Sequence, residues 1–333
     1  GIPLHQTEEI WIRNGVRVNP MNRHRKMSGR IFIPSLDLCL ISPSAVVTDE
    51  GRPQLDAGIA VLEDLGLRVR LADHALSASL GYSATPAEKA ADLNRMVADP
   101  EVRAIMCTQG GTTANACLPI LDWPALAANP KVLVGMSDIT VLVNAVFART
   151  GLITFHGPDL MWGLGRDPSA YDVEEFTARL VDGTVGPVRP AGPRGTIRPG
   201  VAEGPLLGGN VECLRKLAGT PFAPDVTGAV LLLETLGFAA DAGHCCFHHL
   251  AQAGMLDRVA GIVVGHVDGD GQAPPLRLVD VLVEVLDELG CDVPVLRIAD
   301  IGHNCPNTVL PIGARVRMDA DRHLLEIAEP CLA

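Results

Sequence analysis

Short apolar runs alternate with amphipathic segments from residue 36 onward, and this alternation constrains the fold more than any other feature of the 333-residue chain. Residues 36–41 form the first apolar run, and the next segment has apolar residues at every third or fourth position from Leu55 to Leu65. Such spacing predicts a helix with one apolar face. A second apolar run follows at residues 67–71, so the order strand, helix, strand predicts an α/β fold with a parallel sheet.

The pattern continues through two α/β regions that are separated by a segment rich in proline and glycine. Residues 36–165 are predicted to form a doubly wound parallel-sheet domain, and residues 204–333 a second, mixed α/β domain. Residues 166–203 between them predict a crossover loop. Residues 1–35 are predicted to be an extension that is partly foreign to the natural protein. Further predicted strands are 102–108, 131–135, 229–233, 261–265 and 295–298, and further predicted helices are 86–98, 138–149 and 279–289, with a hairpin at 314–327.

Composition limits the partners that such a chain can bind. The formal net charge is -12 and only 4% of the residues are aromatic, so the chain repels phosphate backbones and anionic membranes and offers few platforms for stacked bases. We therefore expect a small-molecule or peptide partner, with no nucleic acid and no membrane. The nine cysteines are odd in number and show no C-x-x-C spacing, which indicates reduced thiols in a cytoplasmic protein.

The sharpest local motif joins a predicted strand to a predicted helix at Gly110-Gly111. Glycines at such a turn let backbone N–H groups approach a ligand, and the N-terminus of the following helix adds a positive field. The turn therefore suits an oxyanion or a carboxylate. On the pattern alone, a plain structural turn explains the two glycines equally well.

Two further candidate residues lie in the second region. His303 follows a predicted strand in a loop rich in Gly, Pro and Asn, where an imidazole can act as a base near neutral pH. Glu234 ends the apolar run Leu231-Leu232-Leu233, where a carboxylate can orient a histidine. Taken singly, each residue also fits a structural role, the histidine on the surface and the carboxylate at a sheet edge.

Taken in chain order, these segments resemble the serine peptidase family of the LD-carboxypeptidases and the microcin C immunity peptidases. The resemblance extends from about Leu36 to the C-terminus and rests on the order of many short motifs. They include Ser42-Pro43-Ser44, Gly110-Gly111, Gly135-Met136-Ser137-Asp138, His156-Gly157-Pro158, Gly208-Gly209-Asn210, Leu233-Glu234 and Gly302-His303. The resemblance implies an active site in the cleft between two α/β domains, a homodimer and no cofactor.

The resemblance also implies a Ser-Glu-His triad. Its nucleophile position is residue 114, its glutamate is Glu234 and its histidine is His303, with oxyanion donors on the backbone around Gly111 and Asn115. A serine at this position would attack an amide carbonyl, the histidine would transfer the proton and the glutamate would hold the imidazole tautomer. The chain has Ala114 instead. We expect it to be nearly inert, because loss of the nucleophile costs a factor on the order of 10⁶ in rate.

Two explanations fit Ala114. The residue is either an engineered replacement that traps an intact ligand or a natural feature of a non-catalytic relative. Retention of Glu234, His303 and the Gly-Gly turn favours the engineered replacement, because a drifting pseudoenzyme has no reason to keep the rest of the relay.

The implied reaction is hydrolysis of an amide bond next to an anionic group. In LD-carboxypeptidases this bond precedes a terminal D-alanine of a peptidoglycan peptide, and in the immunity peptidases it joins an acyl group to a nucleotide-like moiety. Asn115 and the proline-rich segment favour the immunity branch slightly, and Trp162 is a candidate for stacking on a nucleobase. The alternatives are a muropeptide LD-carboxypeptidase and a non-catalytic relative that sequesters such peptides.

Residues 244–249 depart from the family pattern. The resemblance predicts a Glu-Arg pair at the start of this helix, where the chain has His244-Cys245. His244 and His248 share a helical face, as metal ligands can. A helix that packs thiols inward and imidazoles outward explains the same residues, and we predict no metal. The missing arginine alters the predicted wall of the substrate pocket.

Overall fold

The computed structural model describes residues 12–13, 16–17, 37–79, 81–237, 239–267 and 277–332. Apart from two short strands, the predicted extension 1–35 lies outside these residues. The strands are β1 (Ile12–Arg13), β2 (Val16–Arg17), β3 (Asp37–Ile41), β4 (Arg68–Leu71), β5 (Val102–Cys107), β6 (Val132–Gly135), β7 (Thr154–His156), β8 (Gly186–Pro187), β9 (Gly195–Arg198), β10 (Val201–Asn210), β11 (Val230–Thr235), β12 (Gly261–Val267), β13 (Val295–Arg297), β14 (Leu310–Ile312), β15 (Arg315–Asp319) and β16 (Leu324–Ile327). The α-helices are α1 (Arg52–Asp64), α2 (Pro86–Ala98), α3 (Trp123–Ala128), α4 (Thr140–Thr150), α5 (Ala170–Leu180), α6 (Val211–Arg215), α7 (Ala240–Gln252) and α8 (Leu278–Glu288).

The N-terminal sheet has the strand order β14-β7-β6-β5-β3-β4. Strands β4, β3, β5, β6 and β7 are parallel, and β14 is antiparallel to β7. The central strand β3 is buried at every position, as expected for a parallel sheet covered on both faces. From β3 the chain passes to β4 on one side and then to β5, β6 and β7 on the other. A reversal of this kind leaves a crevice at the carboxyl ends of the strands, which is where ligands bind in open α/β sheets.

The helices follow from local sequence signals. The predicted helix 86–98 coincides with α2, which begins with Pro86 after a capping box formed by Thr85 and Glu88. The helix predicted after the Gly-Gly turn is a 3₁₀ helix, Ala114–Ile120, which contains Pro119. Among the described residues, no helix combines the length and the apolar character needed to cross a membrane.

The C-terminal sheet has the strand order β8-β16-β15-β10-β11-β12-β13-β9. Its centre, β10 to β13, is parallel, and the flanking strands are antiparallel. The predicted hairpin 314–327 corresponds to β15 and β16. The two-domain α/β fold class is thus confirmed, with five parallel strands and the antiparallel β14 in the N-terminal sheet and a mixed sheet in the C-terminal domain.

The structure differs from the predicted domain division in two places. The segment 166–203, predicted as a loop, contains α5 because Ser169 and Asp172 form a capping box and the apolar side chain of Phe176 is buried. The same segment supplies β8, β9 and the start of β10 to the C-terminal sheet. Strand β14 comes from the C-terminal third of the chain but joins the N-terminal sheet, because it pairs with β7.

A buried amide links the two sheets. Asn144 on α4 is fully buried, and its side chain donates to the carbonyl oxygen of Gly208 on β10 and accepts from the N–H of the same residue, both at 2.8 Å. Gly208 has a positive φ of 99°, which turns its peptide groups toward this amide. The pair of hydrogen bonds therefore connects the N-terminal domain to the central strand of the C-terminal sheet.

We predict that Asn144→Leu lowers the free energy of unfolding by about 2–4 kcal/mol, because it leaves a buried donor and a buried acceptor of Gly208 without partners. Urea denaturation measures this change. Asn129→Ala is the matched control, since Asn129 donates only to a carbonyl group of its own helix, Ala125 at 3.0 Å. An equal loss of stability in the two variants would contradict the role assigned to Asn144.

Candidate active site

A cavity of about 770 Å³ lies at the carboxyl ends of the N-terminal strands. The loops after β3, β5, β6 and β7 each contribute to its lining, and residues that follow β11 and β13 close it from the C-terminal domain. The lining includes Gly110, Gly111, Ser137, Asp159, Trp162 and His303. The cavity therefore occupies the crevice that the reversal of strand order predicts.

An imidazole and a carboxylate form a hydrogen-bonded pair at this cavity. Nδ1 of His303 lies 2.7 Å from Oε2 of Glu234, which is completely buried near the end of β11. An ionised carboxylate can only accept, so Nδ1 carries the proton and Nε2 is left as an acceptor. The His303 side chain is 14% exposed and lines the cavity. The geometry thus orients the His303 imidazole at the cavity through its contact with Glu234.

Both glycines of the Gly110-Gly111 turn are required by close packing. A Cβ atom on Gly110 would lie 2.6 Å from Cβ of Ser137, and a Cβ atom on Gly111 would lie 2.6 Å from Oγ of Ser44. Gly111 also has a φ of 141°, which side chains rarely adopt. Because these positions carry no side chain, the backbone of the turn can approach a ligand in the cavity directly.

The turn is held by the carboxylate of Asp138, which is completely buried. Its Oδ2 accepts from the N–H of Ala114 at 2.8 Å and from Oγ of Ser44 at 2.6 Å, and its Oδ1 accepts from Nζ of Lys216. Burial alone would raise the pKa of Asp138, but the hydrogen bonds from Lys216, Ser44 and Ala114 outweigh it and hold the pKa below its ordinary value. Residue 114 is therefore fixed by an ionised side chain.

The structure brings together most of the residues singled out from the sequence. Gly110, Gly111, Trp162 and His303 line one cavity, and Glu234 lies directly behind His303. Two predicted residues differ in placement and are not among the residues that line the cavity: Ala114 is completely buried and Asn115 is exposed. Both residues lie at the start of the 3₁₀ helix Ala114–Ile120.

Asp159 is a site residue that the sequence reasoning missed. It is 3% exposed, lines the cavity and caps a short π-helical turn, Leu160–Leu164, through Oδ1, which accepts from the N–H groups of Trp162 at 2.8 Å and Gly163 at 3.2 Å. Burial raises the pKa of Asp159 to about 6, although these backbone N–H groups and the nearby His303 lower it. A carboxylate just beyond the carboxyl end of a parallel strand was the signal available in the sequence.

Trp162 forms a fixed part of the cavity wall. Its Nε1–H donates to Oε1 of Gln109 at 2.9 Å, and Nε2 of Gln109 donates to the carbonyl oxygen of Val46 at 2.7 Å. The guanidinium of Arg166 lies 5.5 Å from the centre of the indole ring, and the residue is still 52% exposed. The indole is therefore oriented by two hydrogen bonds in series while much of its surface remains accessible.

The His/Cys-rich segment is helix α7, on the outside of the C-terminal domain. Cys246 is buried, whereas His244 and Cys245 are exposed, and Nε2 of His244 lies 3.0 Å from Nε2 of His248. Thus one of the two adjacent thiols packs inward and the other does not. Within the described ranges, no group of three or more His, Cys, Asp or Glu side chains is arranged to hold a metal ion.

Comparison with known proteins finds two family models on the chain. The model described as the LD-carboxypeptidase N-terminal domain matches residues 38–157, and that of the C-terminal domain matches residues 203–318. The microcin C7 self-immunity protein MccF of Escherichia coli is 30% identical over 321 residues, which cover 88% of this chain and 93% of the relative. A probable murein peptide carboxypeptidase of Bacillus subtilis is 35% identical over 280 residues, which cover 80% of this chain and 84% of the relative.

Solved structures of MccF are similar over nearly the whole fold. The wild-type apo structure has a TM-score of 0.83 at 28% identity and covers 91% of this chain and 98% of that one. A complex of MccF with aspartyl sulfamoyl adenosine has a TM-score of 0.79 over the same shares, also at 28% identity. The likeness therefore includes both domains.

We predict that Asp159→Asn raises the free energy of unfolding at pH 7.5 by about 2 kcal/mol. The folded protein keeps the Asp159 proton up to about pH 6, whereas the unfolded chain releases it near 3.8, so its ionisation costs stability as the pH rises through this window. Asparagine keeps an acceptor for the two capping N–H groups and carries no charge. Urea denaturation at pH 7.5 and pH 3.5 measures the effect, and we expect no gain at pH 3.5. A loss of stability at pH 7.5 would show that the charge itself stabilises the fold.

Proposed function

The chain belongs to the LD-carboxypeptidase family, and from this premise we propose that its site is that of a serine-type peptidase or amidase that cleaves an amide bond next to an anionic group. The observation that carries the proposal is the hydrogen bond between Glu234 and His303 at a cavity that the Gly110-Gly111 turn also lines. A carboxylate, an imidazole and a turn with accessible backbone are the parts that acyl transfer to a hydroxyl requires, apart from the hydroxyl itself.

In the proposed reaction a serine hydroxyl at position 114 attacks the amide carbonyl of the substrate. Nε2 of His303 takes the hydroxyl proton as the bond to carbon forms, and returns it to the amine as the C–N bond breaks. Glu234 keeps Nδ1 protonated and stabilises the imidazolium that forms between these steps. Water then releases the acyl group from the serine by the same proton transfers.

The negative charge that develops on the carbonyl oxygen needs donors that are already in place. We assign this role to backbone N–H groups of the turn around Gly111, which faces the cavity and is packed against Ser44 and Ser137. The backbone N–H of Asn115, directly after residue 114, is the second donor that we assign to this role. Residue 114 lies in the same turn, fixed by Asp138, so its replacement by alanine removes the nucleophile and leaves the supporting groups.

Two substrate classes follow from the relatives. A murein peptide carboxypeptidase and a microcin self-immunity protein are both similar to this chain, and MccF has been solved with aspartyl sulfamoyl adenosine. We favour the second class, an acyl group joined to a nucleotide-like moiety, because Trp162 presents an oriented indole at the cavity and residues Arg166–Ser169 of the proline-rich segment line it. An aromatic ring held in this way can stack on a base.

A binding protein is the second candidate function, and Ala114 is the observation that favours it. Without a nucleophile the chain keeps the cavity, the turn and the paired histidine. Such a protein would retain its peptide or acyl-nucleoside ligand without cleaving it.

We further propose a cytoplasmic location and a homodimer. None of the nine cysteines is in a disulfide, in agreement with a reducing compartment. Sedimentation equilibrium of the full chain would give the mass of the assembly.

We predict that Ala114→Ser creates amide hydrolysis with aspartyl sulfamoyl adenosine, with the murein tetrapeptide L-Ala-γ-D-Glu-L-Lys-D-Ala, or with both. Chromatography of the released amine measures the rate, and the parent chain is the matched control. Adding His303→Ala or Glu234→Gln to Ala114→Ser should lower the rate by about 10⁴-fold, because each removes a part of the proton relay.

Three results distinguish the alternatives. Cleavage of only one substrate by the Ala114→Ser variant identifies the branch. Binding of a substrate by the variant without any cleavage would overturn the enzyme proposal in favour of the binding protein. A rate that does not change when His303 is replaced would contradict the relay.

A further inference from the structure

Two buried carboxylates of this site have opposite electrostatic surroundings. Asp138 forms an ion pair with Lys216, and its pKa is held below the ordinary value by that hydrogen bond and others despite burial. Asp159 is buried to nearly the same extent, and burial raises its pKa to about 6. Its hydrogen bonds come from backbone N–H groups: those of Trp162 and Gly163 cap the π-helical turn, and that of Gly110 also lowers its pKa. Within the described ranges, no lysine or arginine forms an ion pair with it.

The capping role does not explain the charge of Asp159. A cap needs an acceptor oxygen, and Asn or Ser supplies one without the cost of burying a carboxylate that has no counter-ion. Above about pH 6 the Asp159 carboxylate of the folded chain is therefore ionised, and this ionisation lowers the stability of the fold. Residues retained at such a cost are found mainly at functional sites.

The position of Asp159 points to a ligand. The residue lines the same cavity as His303, and its carboxylate is close enough to that imidazole for the two to interact electrostatically. A substrate whose amide is held at the basic nitrogen of His303 would thus place its neighbouring groups beside Asp159. A positively charged group there would supply the ion pair that no lysine or arginine among the described residues forms with Asp159.

The other charged side chains that line the cavity either have protein partners or are exposed, and none is an ion-pair partner of Asp159. Asp172 is occupied, because Oδ2 accepts from the Ser169 hydroxyl and backbone at the start of α5 and Oδ1 accepts from the N–H of Asn307. Asp167 is exposed, and the guanidinium of Arg166 lies over the ring of Trp162. Asp159 is thus a buried acidic group among the described lining residues that forms no ion pair with a lysine or arginine, and the imidazole of His303 is the titratable cation that acts on it.

We propose that Asp159 binds an ammonium group of the substrate, so that the cavity selects amides that carry a free amine close to the bond to be cleaved. The inference rests on the proposed function for the position of that bond and adds the charge of the neighbouring group. Two sources share this chemistry: the α-amine of an aminoacyl group and the side-chain amine of a diamino acid. An ammonium held between Asp159 and the turn would also fix the carbonyl carbon next to residue 114.

Calorimetric titration of the parent chain tests the proposal, because Ala114 lets the ligand bind without being consumed. The probes are aspartyl sulfamoyl adenosine with its α-amine free or acetylated, and the Nα-acetylated tetrapeptide L-Ala-γ-D-Glu-L-Lys-D-Ala with its lysine amine free or acetylated. Acetylation removes the charge at each amine. For the pair whose amine reaches Asp159, we expect the free amine to bind at least about tenfold more tightly than the acetylated form.

The variant Asp159→Asn should abolish this preference while keeping the cap, and its fold is checked by the gain in stability predicted above. Asp167→Asn is the matched control, since it removes the same charge from the exposed part of the cavity wall and should keep the preference. Equal binding of both members of each pair by the parent, or a preference that survives Asp159→Asn, would overturn the inference alone. Absence of binding by every probe, together with no cleavage by Ala114→Ser, would overturn the proposed function and the inference with it.

Discussion

The carboxylate of Asp138 is completely buried and joins three separate parts of the chain. It accepts from the hydroxyl of Ser44 after β3, from the N–H of Ala114 after β5 and from the ammonium of Lys216, which follows α6 in the C-terminal domain. Removal of any one donor would leave a buried charge short of a partner, which costs several kcal/mol. The place of residue 114 relative to both domains therefore depends on this one ionised group.

The order of the strands brings the other functional groups to the same crevice. The carboxyl ends of β5 and β7 bring the Gly110-Gly111 turn and Asp159 to the cavity, while the loop after β13 brings His303 to it and β11 places Glu234 against that imidazole. Strand β14 and the amide of Asn144 hold the two sheets in register with each other. A relay divided between two domains is thus positioned by backbone pairing and by a few buried polar groups.

The sequence predicted the features that local patterns determine. The limits of α2 follow from its cap, and the pairing of Glu234 with His303 follows from the family resemblance, because both residues end or follow strands in a known order. It did not predict α5, whose capping box lies among prolines and glycines, nor β14, which pairs with a strand far away in the chain. The role of Asp159 was missed because it depends on the burial of the carboxylate and on the absence of a lysine or arginine partner among the described residues. Neither property can be read from the local sequence.

The central claim is that position 114 is the nucleophile position of the Glu234–His303 relay. It is tested most directly by treating the Ala114→Ser variant with diisopropyl fluorophosphate and mapping the adduct by peptide mass spectrometry. We expect one adduct, on the serine introduced at position 114, which is absent from the parent chain and forms much more slowly when His303→Ala is added. An adduct on Ser137 or another native residue, or no adduct on the new serine, would contradict it.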